Sequence, residues 1–482
     1  MKITFHNLGP LHECKVELGD LTIVTGHNNT GKTYVTYGVF GLLAGWRHWV
    51  RMPSFEGIAP ELISKGIATL DLQEFSGNGF RQHLSRLAHA YKENLSRVLA
   101  SEPDRFTDAK VHLDLAECPQ IEVLEINLQQ VLPSGETITL TKTAGELVAR
   151  IGLKANVTNS GASGIPTAFL VERWLSETIA ELIFQPCFPR VYIASTERTG
   201  AAIFQRELNL GRNRLIEMLA DLKPGENPDP WTLMQRMASS YAFPVQQNVD
   251  FLNFSNLEPL QRQQSALAAQ RPDILQALEE ITGGTYKITK EGGAYFSPSN
   301  QRGLRLRLGE SSSAVRSLLD VTYYIRHVLR PGDCFMIDEP ELNLHPKNQR
   351  LFARLIARMV NAGVKVFLTT HSDYIIRELN TVILLSGRAA AHPELLKELN
   401  YSPEELIGHE RVRFYRTSEK LLEVDGGTRR RRLPILEEIK VTSERGIEVE
   451  SFDTEIDDLN RIQDIILYTP EEATEATEAA HD

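Results

Sequence analysis

Residues 26–33 read Gly26-His27-Asn28-Asn29-Thr30-Gly31-Lys32-Thr33. Before them lies Leu21-Thr22-Ile23-Val24, an apolar run with the length of a buried strand; after them the text turns helical from about Lys32 to Arg47. Strand, GxxxxGK[ST] loop and helix, in that order, form the context in which this pattern grips phosphate. Backbone N–H groups and the helix N-terminus face the phosphate oxygens. Gly31 lets the backbone come close. Lys32 reaches the β- and γ-phosphates, and the Thr33 hydroxyl ligates Mg²⁺. The expected nucleotide contacts are Gly26, Asn28, Asn29, Thr30, Gly31, Lys32 and Thr33.

Two other strand ends carry side chains suited to the same chemistry. Cys334-Phe335-Met336-Ile337 is apolar and ends in Asp338-Glu339. Side chains alternate along a strand, so the two carboxylates point differently. One suits a Mg²⁺ shell, the other the orientation and deprotonation of an attacking water. A further buried strand, Val364 to Leu368, is followed by Thr369-Thr370-His371-Ser372 and delivers His371 to its end. Between 304 and 371 the order strand, helix, strand, helix, strand predicts parallel α/β winding. Ligands of such sheets sit at the carboxyl ends of the strands, so Gly31, Glu339 and His371 are expected on one edge.

Composition sets the bounds. At 482 residues, 42% hydrophobic and 24% charged, the chain reads as globular with more than one lobe. The net charge is −11, but Thr469 to Asp482 hold five acids and no base. The folded body is left at about −6. So acidic a chain is no bulk polyanion binder, and any DNA contact would come from local basic patches. Cys14, Cys118, Cys187 and Cys334 show no CxxC spacing, which argues against a thiolate zinc site or disulfide scaffold and fits a reducing cytosol. Met1 to Phe5 begins like a strand, without a signal-peptide apolar region. The apolar, uncharged stretch Thr33 to Trp46 is too short for a bilayer. A cytoplasmic protein without a membrane partner is expected.

The organisation expected is as follows. Residues 1–50 hold short strands and the phosphate loop; 51–184 form an insertion, helical and then antiparallel β; 185–385 hold the second α/β half, with a helical segment at 200–280. Residues 386–468 form a C-terminal α+β region, and 469–482 an acidic disordered tail. Arg429-Arg430-Arg431-Arg432 after Gly426-Gly427 reads as a solvated loop, with nucleic acid or an acidic partner as the alternative. On the helix after Asp338-Glu339, Lys347, Arg350, Arg354 and Arg358 form a basic face opposite an apolar stripe.

The motifs together resemble the ABC-type ATPase heads of the RecF/SMC/OLD group. The resemblance rests on residues 26–33, on Asp-Glu-Pro-Glu-x-x-Leu-His-Pro at 338–346, on Thr-Thr-His-Ser at 369–372 and on Asn7-Leu8-Gly9-Pro10. It covers roughly 1–50 and 185–385. Tyr192 to Gly200, with Glu197-Arg198-Thr199-Gly200, looks like the standalone AAA-family ATPases of bacterial antiphage systems, such as the Septu ATPase. The resemblance implies a P-loop NTPase of the α/β class: an ABC-ATPase head with an antiparallel β lobe, a parallel α/β core and a helical insertion. It implies ATP and Mg²⁺ held between two heads of a head-to-tail homodimer or higher oligomer. In that frame Asp338 is the metal ligand, Glu339 the catalytic base, His371 the switch histidine at the γ-phosphate and Lys32 the catalytic cation, while Asn343 lies in the segment that crosses the dimer interface.

The family's signature loop falls at Leu308-Gly309-Glu310-Ser311-Ser312-Ser313, without the usual glycine after the serine. Ser312 and Ser313, opening an apolar-striped helix, would hold the partner's γ-phosphate or simply cap that helix. Glu197 and Arg198 either form a structural turn or couple the nucleotide to the helical insertion. The expected function is ATP hydrolysis that regulates a separate effector, a nuclease or toxin, in antiphage defence. The alternative is a RecF/SMC-like ATPase of DNA repair or chromosome maintenance. A transporter subunit fits the long insertion poorly. The acids Asp453, Glu455, Asp457 and Asp458 do not follow the strand-end pattern of a TOPRIM nuclease, so no nuclease activity of the chain's own is expected.

Overall fold

The computed structural model describes residues 1–50, 52, 55, 57–115, 120–154, 167–204, 241–289, 293–424, 429–448 and 461–465. Cys118, the acids at 453–458 and the acidic tail lie outside the described residues. Among the described residues no helix is long and apolar enough to cross a membrane.

The strands are β1 (Lys2–Leu8), β2 (Leu11–Glu17), β3 (Leu21–Thr25), β4 (Ile67–Asp71), β5 (Lys110–Asp114), β6 (Ile126–Val131), β7 (Thr137–Lys142), β8 (Val148–Lys154) and β9 (Val191–Ala194). Then come β10 (Gly284–Ile288), β11 (Ala294–Pro298), β12 (Leu306–Arg307), β13 (Cys334–Asp338), β14 (Lys365–Thr369), β15 (Val412–Val424) and β16 (Arg429–Ile439). The principal sheet has nine strands in the order β5-β1-β2-β16-β15-β3-β14-β13-β9. From β15 to β9 every neighbouring pair is parallel. The β1–β2, β1–β5 and β15–β16 pairs are antiparallel. The chain is thus an α/β P-loop fold, with a parallel core and an antiparallel lobe in one continuous sheet.

Burial explains the parallel core. All five residues of β3 and all five of β13 are buried, as is required of strands covered on both faces. One face is covered by α1 (Lys32–Trp49), whose Val35, Val39, Leu42, Leu43 and Trp46 join the larger core cluster. The helix α2 (Gly77–Glu93) packs beside it through Leu84, Leu87 and Tyr91, and α3 (Thr167–Phe184) through Leu175, Ile179 and Phe184. After β9 comes the short α4 (Arg198–Ile203). The apolar-striped helix predicted after the serines is two pieces, α5 (Ser313–Ser317) and α6 (Leu319–His327), which break at Leu318. The other face carries α6, α7 (Pro346–Asn361) and α8 (Asp373–Arg388), packed on Phe335, Ile337, Val366 and Leu368.

Four sequence expectations look different in the fold. Residues 386–468, read as a region of their own, supply β15 and β16 to the middle of the principal sheet. Likewise β5, from the 51–184 insertion, edges that sheet, while β4, β8, β7 and β6 make a separate one. Strand pairing at such sequence separations leaves no local signal. Arg429 to Arg432 start β16 and pair along the backbone with β15, and Arg430 reaches Glu423 at 3.2 Å, so they are not in a loop. The basic face of α7 is a network rather than a row of solvated charges: Arg350 and Arg354 each reach Glu378 at 2.6 Å, and Arg358 reaches Glu405 at 3.0 Å. The guanidinium of Arg354 also stacks 3.8 Å over the Tyr401 ring.

Candidate active site

The phosphate loop leaves β3 at Gly26, whose φ of +142° is open only to glycine. A Cβ there would sit 1.8 Å from Thr417 Oγ1 on β15. Thr417 and Thr30 hydroxyls meet at 2.5 Å, and Thr30 Oγ1 donates to His27 O at 2.7 Å. The neighbouring strand β15 therefore braces the loop. At the far end Gly31, φ +100°, faces Pro10 and Leu11, so the Asn7–Pro10 turn packs on the loop. Val35 N donates to Gly31 O at 3.1 Å and starts α1. Lys32 curls over the loop, its Nζ donating to Gly26 O at 2.9 Å and His27 O at 2.8 Å. Burial lowers the Lys32 ammonium from its usual range, against the opposing pull of Glu339, Asp338 and Glu341.

Asp338 ends β13 fully buried. Its Oδ1 accepts from the Thr369 hydroxyl, and its Oδ2 has no protein partner. Burial, partly offset by that bond, pushes the carboxyl up to about 6. Glu339 turns the other way: its φ is +50°, and its N–H donates to Thr369 O at 3.1 Å. Its Oε1 lies 3.1 Å from His371 Nε2. That contact with His371 holds the Glu339 carboxyl below its usual value despite partial burial.

The backbone at His371 is held by Glu341, which accepts from His371 N at 2.6 Å and from Thr370 Oγ1 at 2.9 Å. Burial raises the Glu341 carboxyl. Ser372 then caps α8 by accepting from Ile375 N.

These elements enclose a cleft of about 480 Å³ lined by Pro10, Asn28, Asn29, Gly31, Lys32, Thr33, Tyr34, Glu339 and His371. Three strand ends, after β3, β13 and β14, converge there, as parallel winding requires. Gly26, Thr30 and Asp338 are not among the lining residues: the first two shape the loop, and Asp338 is buried at the end of β13. Ser312 and Ser313 do not line the cleft either. Ser312 caps α5 by accepting from Val315 N, and Arg316 ties the serine turn through Ser311 O at 3.0 Å. Asn343 has φ +62° and is exposed on the segment after Glu339.

Sequence reasoning did not single out Thr369, Glu341 or Thr417. Glu341 stands inside the quoted Asp-Glu-Pro-Glu motif, and Thr369 inside Thr-Thr-His-Ser, so both had a signal. Thr417 had none, because its role depends on β15 lying next to β3.

The residues can hold a divalent cation. The buried carboxylate oxygen without a partner at Asp338 and the Thr33 hydroxyl on the cleft wall are donors of the oxygen type that Mg²⁺ takes together with phosphate and water.

Residues 235–376 match the AAA ATPase domain family. The matched stretch includes β13, β14, Asp338, Glu339 and His371 but ends far from the phosphate loop in sequence. No curated protein matches the chain. Among solved structures, the chain is similar to an SMC head bound to the C-terminal winged-helix domain of ScpA (10% identity, 91% of this chain and 97% of that one, TM-score 0.33). It is also similar to the Pyrococcus furiosus Smc head with an extended coiled coil, bound to the C-terminal domain of ScpA (10% identity, 96% and 98%, TM-score 0.29). The SMC head domain of Thermotoga maritima follows (9% identity, 91% and 98%, TM-score 0.27). At these scores the fold assignment stands on the strand order of the chain itself, and the match to the AAA ATPase domain covers less than half of the chain.

Proposed function

We propose that the cleft binds Mg-ATP and hydrolyses it, with Glu339 as general base. The observation that carries this is Glu339 Oε1 facing His371 Nε2 at 3.1 Å across a cleft floored by Gly31, Lys32 and Thr33. Loop N–H groups and the start of α1 receive the phosphates. Lys32 exchanges its two loop carbonyls for β- and γ-phosphate oxygens. Asp338 Oδ2 and the Thr33 hydroxyl would hold Mg²⁺, which when bound neutralises the charge on the β- and γ-oxygens. Glu339, kept ionised by His371, accepts the proton of the attacking water. His371 would donate to the γ-phosphate.

Two further parts of the reading rest on the resemblance. Ser312 and Ser313 at the start of α5 would face the nucleotide of a second copy, in a head-to-tail dimer. The ATP cycle of that dimer would regulate a separately encoded nuclease or toxin in antiphage defence. A RecF/SMC-like role in DNA maintenance uses the same cleft; it would be favoured by DNA-stimulated turnover with steep salt dependence.

The experiment is steady-state phosphate release by the wild-type chain and Glu339→Gln. Loss of a general base costs about 10²–10⁴-fold, so the variant should bind ATP but turn over at least a hundredfold more slowly. Normal turnover by Glu339→Gln would remove the base assignment.

A further inference from the structure

Arg198 has no place in the scheme above, yet it is fully buried, at the point where the catalytic strand, the serine helix and the β9 turn meet. Its Nε donates to Ser317 O at 3.0 Å. Its Nη1 donates to Ser195 O at 2.9 Å and Asp338 O at 2.8 Å, and its Nη2 to Glu339 O at 2.8 Å. All four acceptors are main-chain carbonyls, and among the described residues no carboxylate lies within ion-pair distance of it. Burying a guanidinium is costly, and a neutral or apolar side chain would fill the same space more cheaply. The arrangement makes sense for its geometry: a planar fork fixes several oxygens relative to one another, as a lysine cannot.

What it fixes is specific. Glu339 sits in the left-handed region, a strained backbone for a non-glycine residue that persists only where the surroundings over-determine it. Arg198 holds the Glu339 carbonyl and Thr369 its N–H, and between them the carboxylate is aimed at His371. The third arm reaches Ser317, the last residue of α5, whose hydroxyl donates in turn to Leu342 O just after Glu339. The preceding residue, Glu197, accepts from the Tyr37 hydroxyl of α1 at 3.0 Å. One short turn thus ties the phosphate-loop helix, the catalytic strand and the serine helix.

We propose that Arg198 is a positioning residue: it sets the Glu339 backbone for catalysis and transmits the position of the serine helix to it. The inference rests on the ATPase reading. A shift of α5 on meeting a second copy would move Ser317, Arg198 and the Glu339 carbonyl together, so turnover would depend on what the serine helix touches.

Arg198→Lys keeps the charge but cannot span four carbonyls. It should bind Mg-ATP by calorimetry with affinity near that of wild type, while kcat falls about ten- to a hundredfold, the range expected of a small misplacement of a reacting group. Arg198→Ala should show the same split and recover kcat when guanidinium ion is added at low, non-denaturing concentration. If Arg198→Ala does not fold, the lysine variant alone decides. Wild-type kcat in Arg198→Lys overturns the proposal. So does a loss of affinity and kcat together in step with a lower melting temperature, which would mark a purely structural residue. A wild-type chain without ATP turnover overturns the ATPase reading itself; turnover that is unaffected in Arg198→Lys overturns only this inference.

Discussion

Gly26 and Glu339 both hold a positive φ in the site, and they fail in different ways when changed. At Gly26 the left-handed φ and the Thr417 hydroxyl, 1.8 Å from any added Cβ, both exclude a side chain. Gly26→Ala should therefore weaken Mg-ATP binding at least tenfold, about 1.4 kcal/mol, and lower the melting temperature. Retained affinity in a titration would show that the loop can yield at Thr417. Glu339→Gln, by contrast, keeps backbone and shape and should lose only turnover. The phosphate loop, Asp338-Glu339 and His371 were legible in the sequence because each follows a recognisable strand. The brace on Gly26 was not, since Thr417 lies almost four hundred residues away in the chain and reaches the loop only through β15.

Among the elements, α7 and α8 are joined by the buried Glu378 carboxylate. Burial alone would raise Glu378, but Arg354, Arg350 and the Tyr401 hydroxyl hold it below its usual value. A carboxyl lowered on folding contributes stability above its unfolded pKa, and the contribution is lost as pH falls through the folded value. Glu378→Gln should destabilise the chain by about 3 kcal/mol at neutral pH, because two guanidinium groups lose their counter-charge. The gap between variant and wild type should narrow as the pH drops below about 4. A thermal-melt series with a constant gap would contradict the assignment. The sequence displayed the arginines of α7 as one face, but not their partners, because Glu378, Glu405 and Asp273 come from three other segments.

At the scale of the whole molecule, the nine-stranded sheet joins strands from residues 2–25 with strands from residues 412–439. The alternating strands and α/β windings were readable locally, and they gave the fold class. The insertion of β15 and β16 between β2 and β3 was not readable, since pairing order is a non-local property. On the dimer reading, Glu339→Gln with Mg-ATP should sediment at twice the monomer mass, and should return to the nucleotide-free mass when Lys32→Ala is added. An unchanged mass with bound nucleotide would argue against a nucleotide-bridged pair. The central claim is that the cleft grips a nucleoside triphosphate through Lys32, and it is tested most directly by calorimetric titration of Mg-ATP into folded wild-type chain and Lys32→Ala. Saturable binding by wild type, with affinity at least tenfold weaker in the variant, is the predicted result. Absence of heat in wild type, or equal affinity in both, would contradict it.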